Sequence, residues 1–237
     1  MIEIETEVID VIARTPGVKS FRLESREDVK YRAGQFFYVT LKSGGKEMTK
    51  HFSFSSAPTE KGYVEFTKKL TRSDYSKALD QWKPGDRTRI KFPLGSFTLD
   101  ESGKKIAFLS GGIGITPIRS MCRFATDERL STDIVLLYGN ATEKDIIFRD
   151  DFDAMERDNP NLRVVHTLTD ESVDRNRWKG RTGFIDANML REEIPDFAER
   201  TFYVCGPGAM VRTLSGQLTE ELAVPDNRLK TEDFPGY

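Results

Sequence analysis

One stretch restricts the fold more than any other: Lys105-Ile106-Ala107-Phe108-Leu109-Ser110-Gly111-Gly112-Ile113-Gly114-Ile115-Thr116-Pro117-Ile118. An apolar run of strand type breaks at a glycine cluster and resumes as a helix. Gly111, Gly112 and Gly114 allow positive φ and leave no side chain between backbone N–H groups and whatever lies above them. Thr116 suits the N-cap and Pro117 the first helical position, where a missing N–H costs nothing. Free N–H donors at the positive end of a helix dipole make such a turn a ready anion site. A tight strand–helix turn with no ligand is the alternative. The spacing departs from the dinucleotide fingerprint G-x-G-x-x-G.

Composition narrows the classes around this turn. A chain of 237 residues, 38% hydrophobic, holds one large or two ordinary cores. A net charge of −2 gives no field for nucleic acid or an anionic membrane. No apolar run approaches the roughly 18 residues of a membrane span. Met1-Ile2-Glu3-Ile4-Glu5 lacks a signal peptide's basic start. A soluble, cytoplasmic protein is expected. Cys122 and Cys205 are the two cysteines, and His51 and His166 the two histidines. That is too few for a disulfide framework, an iron–sulfur cluster or a metal-centred enzyme. Redox chemistry would have to come from an organic cofactor.

The first hundred residues read as short strands: Glu5–Ile12, Val18–Leu23, Gln35–Lys42, Lys50–Ser56, Tyr63–Leu70 and Arg87–Phe92, with one helix at Ser76–Trp82. Such spacing predicts an antiparallel β-barrel. After Asp100-Glu101-Ser102-Gly103 the pattern changes. Strands at Lys105–Ser110, Asp133–Tyr138, Leu162–Leu168 and Thr201–Cys205 alternate with helices from Thr116, around Asp145–Arg157, at Ala187–Glu193 and at Ala209–Leu222. This alternation predicts a parallel sheet, with ligands at the carboxyl ends of its strands. Two domains are expected, 1–100 and 101–237.

Four motifs follow in order: Lys50-His51-Phe52-Ser53, Ser73-Asp74-Tyr75-Ser76, Gly111-Gly112-x-Gly114-x-Thr116-Pro117 and Cys205-Gly206-Pro207-Gly208-Ala209-Met210. Their order and strand–helix context resemble the ferredoxin–NADP reductase superfamily over essentially the whole chain. The resemblance implies a flavin-binding barrel followed by an α/β domain for NAD(P). It places Lys50 beside the flavin phosphates, where the family has arginine and where lysine offers a point charge instead of a fork. His51 shares that motif, Phe52 lies on the isoalloxazine, and Ser53 faces the flavin N5. Thr67 and Lys68 match positions where the backbone runs along the flavin ring. Ser76 would cap the short helix toward a pyrophosphate, which favours FAD over FMN. Gly111, Gly112, Gly114 and Thr116, with Cys205, Gly206, Pro207 and Met210, match the nicotinamide-nucleotide loops. Cys205 would sit near the nicotinamide C4 and Glu232 in the catalytic group with Ser53. The aromatic ring covering the flavin is Phe234 or Tyr237.

The resemblance further implies an oxidoreductase that moves hydride from NAD(P)H to FAD. Electrons then pass to a separate acceptor such as ferredoxin, flavodoxin or an oxygenase partner. The alternative is an electron-transfer subunit of a larger redox complex. Relatives that use NADPH carry basic residues where this chain has Asn140-Ala141 and Thr169-Asp170-Glu171. NADH is therefore favoured, unless Arg175, Arg177 or Lys179 folds back to a 2′-phosphate.

Overall fold

The computed structural model describes residues 1–25 and 29–234, and Tyr237 lies outside them. The first six strands are β1 (Ile2–Thr15), β2 (Val18–Glu24), β3 (Phe36–Ser43), β4 (Lys46–Ser53), β5 (Tyr63–Lys69) and β6 (Arg87–Leu94). They form one antiparallel sheet in the order β4-β3-β6-β1-β2-β5. β1 serves two ladders. Ile2–Glu7 pair with β6, whereas Val8–Thr15 pair with β2, so the sheet curls around this one long strand. The seam is closed beyond the end of β4, where the Ser55 and Ser56 N–H groups donate to Glu65 O at 2.8 and 3.4 Å. The expected barrel is thus a half-barrel, a curled sheet with two edge strands drawn together.

Aromatic side chains fill its interior. Phe37 stacks on Phe54 at 4.2 Å between ring centroids, and Phe21 on Phe66 at 5.1 Å. β4 starts earlier than the sequence suggests, at Lys46. Gly44 and Gly45 have φ of +57° and +77°, which lets a two-residue turn reverse the chain and pair Ser43 with Lys46. A helix, α1 (Asp74–Asp80), plugs one end, its Tyr75 hydroxyl donating to Val39 O at 3.0 Å. Its N-cap is Ser73, whose hydroxyl accepts from the Ser76 N–H at 3.2 Å. Ser76 is therefore the third helical residue and is buried, which corrects the expected cap by one turn.

The second sheet is wholly parallel. Its chain order is β7 (Lys105–Gly111), α2 (Ile115–Asp127), β8 (Asp133–Asn140), α3 (Arg149–Asp158), β9 (Leu162–Leu168), β10 (Arg181–Thr182), α4 (Ala187–Glu193), β11 (Thr201–Pro207), α5 (Gly208–Gly216) and β12 (Leu229–Phe234). In space the strands run β10-β9-β8-β7-β11-β12. β7 is buried on both faces, with Ile106 and Phe108 in the core on the α2 and α3 side and Ala107 and Leu109 in the core on the α4 and α5 side. That double burial explains its unbroken apolar run.

Two helix starts differ from expectation. A short 3₁₀ turn at Gly112–Gly114 feeds directly into α2, so Thr116 is its second residue and its hydroxyl donates back to Ile113 O at 3.2 Å. Thr142 and Asp145 close a capping box over a separate 3₁₀ turn, which delays α3 to Arg149. Among the described residues no helix is long and apolar enough to cross a membrane.

Candidate active site between the two sheets

The strand order reverses at the crevice between β7 and β11, where an open α/β sheet binds its ligands. Both glycine-rich turns end there and fit into each other. A Cβ on Gly114 would lie 2.4 Å from Cys205 O, and one on Gly111 would lie 2.5 Å from Met210 Sδ. Gly114 is required by close backbone approach, whereas Gly111 faces the Met210 side chain. Gly112 differs: its φ is +52° and nothing lies within 4 Å of the missing Cβ. Of the three, it is the one that leaves backbone open to a ligand. Pro207 ends β11 and Gly208 opens α5 beside this knot.

A cleft of about 340 Å³ opens next to it and draws on both sheets. From the curled sheet come Lys50, His51, Phe52 and Ser53 at the end of β4, Thr67 and Lys68 on β5, and Thr71, Ser73 and Tyr75 around the start of α1. From the parallel sheet come Ile113, Thr116 and Phe234. Phe52 has two duties. Its ring stacks on Phe66 at 4.7 Å within the core, and it also lines the cleft. Burial, with Lys50 nearby, pushes the Lys68 ammonium below its usual value. Among the described residues no carboxylate lines the cleft. Ser76 lies just under it, sharing hydrogen bonds with Ser73 and Thr71 at 3.1 and 3.0 Å.

Cys205 and Glu232 stand behind this wall as ladder partners on β11 and β12, and Phe234 pairs with Pro207 two residues further along. Cys205 is fully buried; burial, with Glu232 and Asp233 nearby, raises its thiol well above its ordinary value. It is therefore a packed thiol and no nucleophile. Burial and Asp233 push the Glu232 carboxyl up to about 7, and its Oε2 has no hydrogen-bond partner. Near neutrality both its protonated and its ionised forms are therefore accessible.

Two family models divide the chain: an oxidoreductase FAD-binding domain matches residues 6–99 and an oxidoreductase NAD-binding domain residues 108–215. The chain belongs to the ferredoxin–NADP reductase superfamily. It carries a flavin-binding domain followed by a nicotinamide-nucleotide-binding domain of the oxidoreductase type. A glycine betaine monooxygenase reductase subunit of Pseudomonas aeruginosa is 29% identical over 204 residues, 84% of this chain and 56% of the relative. A component of the Na(+)-translocating NADH-quinone reductase of Idiomarina loihiensis is 30% identical over 222 residues, 85% of this chain and 52% of the relative. The chain thus spans about half the length of these relatives. The flavohem-like FAD/NAD-binding domain of nitric oxide dioxygenase from Vibrio cholerae superposes with a TM-score of 0.85 at 22% identity, covering 97% of this chain and 98% of that one.

In this superfamily member the Asp170 N–H donates to Ala141 O at 3.0 Å, which brings the two loops after β8 and β9 together. The Asp170 carboxylate accepts from the Ser172 N–H and hydroxyl at 2.8 and 2.6 Å, and these bonds hold it below its usual pKa. Arg177 and Lys179 line a different cleft, with Trp178 and His166 toward the β9 edge. Sequence reasoning missed Arg119. It lies on α2, is 3% exposed, and joins the two sheets. The available signal was its position: Ile115 and Cys122, four residues before and three after, put it on the apolar face of the helix.

Proposed function

We propose that this oxidoreductase takes hydride from NADH in preference to NADPH and delivers electrons to a separate acceptor. In this reading residues 1–100 are the flavin-binding domain and 101–237 the nucleotide-binding domain. The observation that carries it is one cleft supplied from both sheets, with Ser53 from the first and Thr116 from the second.

The residues present suit a flavin. Phe52 and Phe234 offer aromatic surface, and the hydroxyls of Thr71 and Ser73 gather near the start of α1. Lys50 and Lys68 bring positive charge to a cleft with no carboxylate lining among the described residues, which suits phosphate. FAD would be held by these groups, with Ser76 fixing the loop beneath. When bound, the flavin accepts hydride and can release electrons one at a time.

The rest falls to the chain. Gly112 offers open backbone to the dinucleotide, and Thr116 limits its depth. Phe234 covers the face where a nicotinamide ring would dock and so sets its access. The Ser53 hydroxyl supplies a hydrogen bond at the reacting face. Glu232 holds or yields a proton at its unpartnered Oε2, and Cys205 excludes water behind it. The Asp170–Ala141 contact supports the preference for NADH, because a 2′-phosphate near these loops would meet the Asp170 carboxylate.

Anaerobic titration of the FAD-loaded protein with NADH and then NADPH tests this reading. NADH should bleach the visible flavin band at far lower concentration. A protein that carries no flavin, or one that NADH does not reduce, overturns it. A second reading, as one part of a larger redox complex, is favoured by the two relatives described above, since both are named as subunits of reductase systems. Steady-state turnover with small-molecule acceptors separates the two, since a dependent component would be slow without its partner.

A further inference from the structure

We propose that Arg119 is a positioning residue that sets the separation of the two reacting rings by clasping the walls of the cleft. The inference rests on the reading that Ser53 and Thr116 face the flavin and the nicotinamide.

The clasp begins on α2, one turn beyond Thr116. Arg119 Nη1 donates to Ser55 O at 3.0 Å, and the neighbouring Ser120 hydroxyl donates to Ser56 O at 2.7 Å. Ser55 and Ser56 follow Ser53 by two and three residues, so α2 is tied to the strand end that carries the Ser53 hydroxyl. The Arg119 guanidinium also bonds both oxygens of Glu60, with Nη2 to Oε1 at 3.2 Å. Glu60 is itself fixed by the Ala57 N–H at 2.7 Å and the Tyr63 hydroxyl at 2.8 Å.

A second circuit closes the loop. Arg119 Nη2 donates to Asp151 at 3.1 Å, Asp151 pairs with Arg14 at 3.5 Å, and Arg14 reaches Glu65 at 3.0 Å. Glu65 accepts from the Ser55 hydroxyl at 3.0 Å, and that hydroxyl also meets Thr67, which lines the cleft. Burial would lower the Arg119 guanidinium, but Glu60 and Asp151 outweigh it and hold it charged.

Each residue of this ring therefore has a fixed partner, although Arg119 Nε itself is buried and unpaired, and its ends are attached within one helical turn or three residues of the cleft. The arrangement uses Arg119 as a planar fork with several donors, which a lysine cannot reproduce. A charged fork buried for stability alone has little advantage over well-packed apolar residues. Hydride transfer gives it a reason, because a misplacement of about 1 Å can cost roughly a hundredfold in rate.

Stopped-flow reduction of FAD-loaded Arg119→Met, Arg119→Lys and Ser120→Ala by NADH, and by NADH deuterated at the transferred position, is the test. For Arg119→Met the limiting rate of flavin reduction should fall about ten- to a hundredfold, with a larger deuterium isotope effect. Its flavin content, visible spectrum and NADH dissociation constant should stay within about twofold of wild type. Arg119→Lys should recover part of the rate, and Ser120→Ala should lose a few-fold in the same direction. Should Arg119→Met fail to fold, Ser120→Ala decides through the same two readouts. An unchanged rate and isotope effect in the folded, loaded variant overturns the clasp. So does a loss of rate that only follows loss of flavin. Wild-type protein that binds FAD but is not reduced by NADH overturns the reading of the cleft instead.

Discussion

Replacing Glu232 by glutamine should make the fold more resistant to alkali, by an amount set by where the carboxylate sits. Burial and Asp233 raise its pKa from 4.5 to about 7. At about 1.36 kcal/mol per pH unit, the fold favours the protonated carboxyl by about 3 kcal/mol. Because the folded value is the higher one, that contribution is fully present below pH 4.5 and is lost as pH rises through about 7. The wild type must then either bury a charge or give up stability. The glutamine variant has nothing to titrate. For a chain of this size about 3 kcal/mol corresponds to roughly 6–12 °C in melting temperature. Thermal melts of both proteins, saturated with FAD, from about pH 4.5 to about pH 8.5 should show curves that converge in acid and separate in alkali. A gap of constant size across that range would refute the reasoning, since it would mean that Glu232 ionises in the fold as easily as in the unfolded chain.

Gly114→Ala would press a methyl group to 2.4 Å from Cys205 O and 2.5 Å from Gly206 Cα, and should cost about 1–3 kcal/mol in urea unfolding together with a marked loss of NADH affinity. Ala141→Arg combined with Asp170→Ser should raise kcat/KM for NADPH by about a hundredfold without altering the flavin spectrum, because it adds a charge-assisted bond of roughly 1.5–3 kcal/mol and removes a repulsion of about 1 kcal/mol. Added salt should narrow the wild-type preference for NADH, as exposed charges are screened over about 8–10 Å. Phe234→Ala should change NADH affinity and the NADH/NADPH ratio together in reductive half-reaction kinetics, and unchanged kinetics would remove this ring from the docking face.

Much of this site was legible because its parts are short and local. The alternation of β7 and the following helices gave the parallel sheet, and the Lys50–Ser53 and Thr67–Lys68 segments meet in one cleft. What escaped depends on partners far away in sequence. Ser73 and Ser76 are both good caps in a Ser-Asp-Tyr-Ser run, and tertiary packing of Tyr75 and Ser76 chose the first. Thr116-Pro117 looks like a helix start, yet the Gly112–Gly114 turn winds the chain before it arrives. β12 reads Leu-Lys-Thr-Glu-Asp-Phe and carries little apolar signal because it is an edge strand. Arg119 is bonded to Glu60, 59 residues earlier, so no local pattern names its partner.

The ladder between β11 and β12 makes the chemistry of this wall discrete. Its register sets Cys205 beside Glu232 and Pro207 beside Phe234, and side chains on a strand alternate in facing. A shift of one residue cannot nudge the carboxyl or the ring by a fraction. It exchanges Glu232 for Thr231 or Asp233 and turns the aromatic ring to the other side of the sheet. An insertion or deletion in the Ala223–Arg228 connection that slipped this register by one residue would therefore set Thr231 or Asp233 in the place of Glu232, a change of residue made without any substitution.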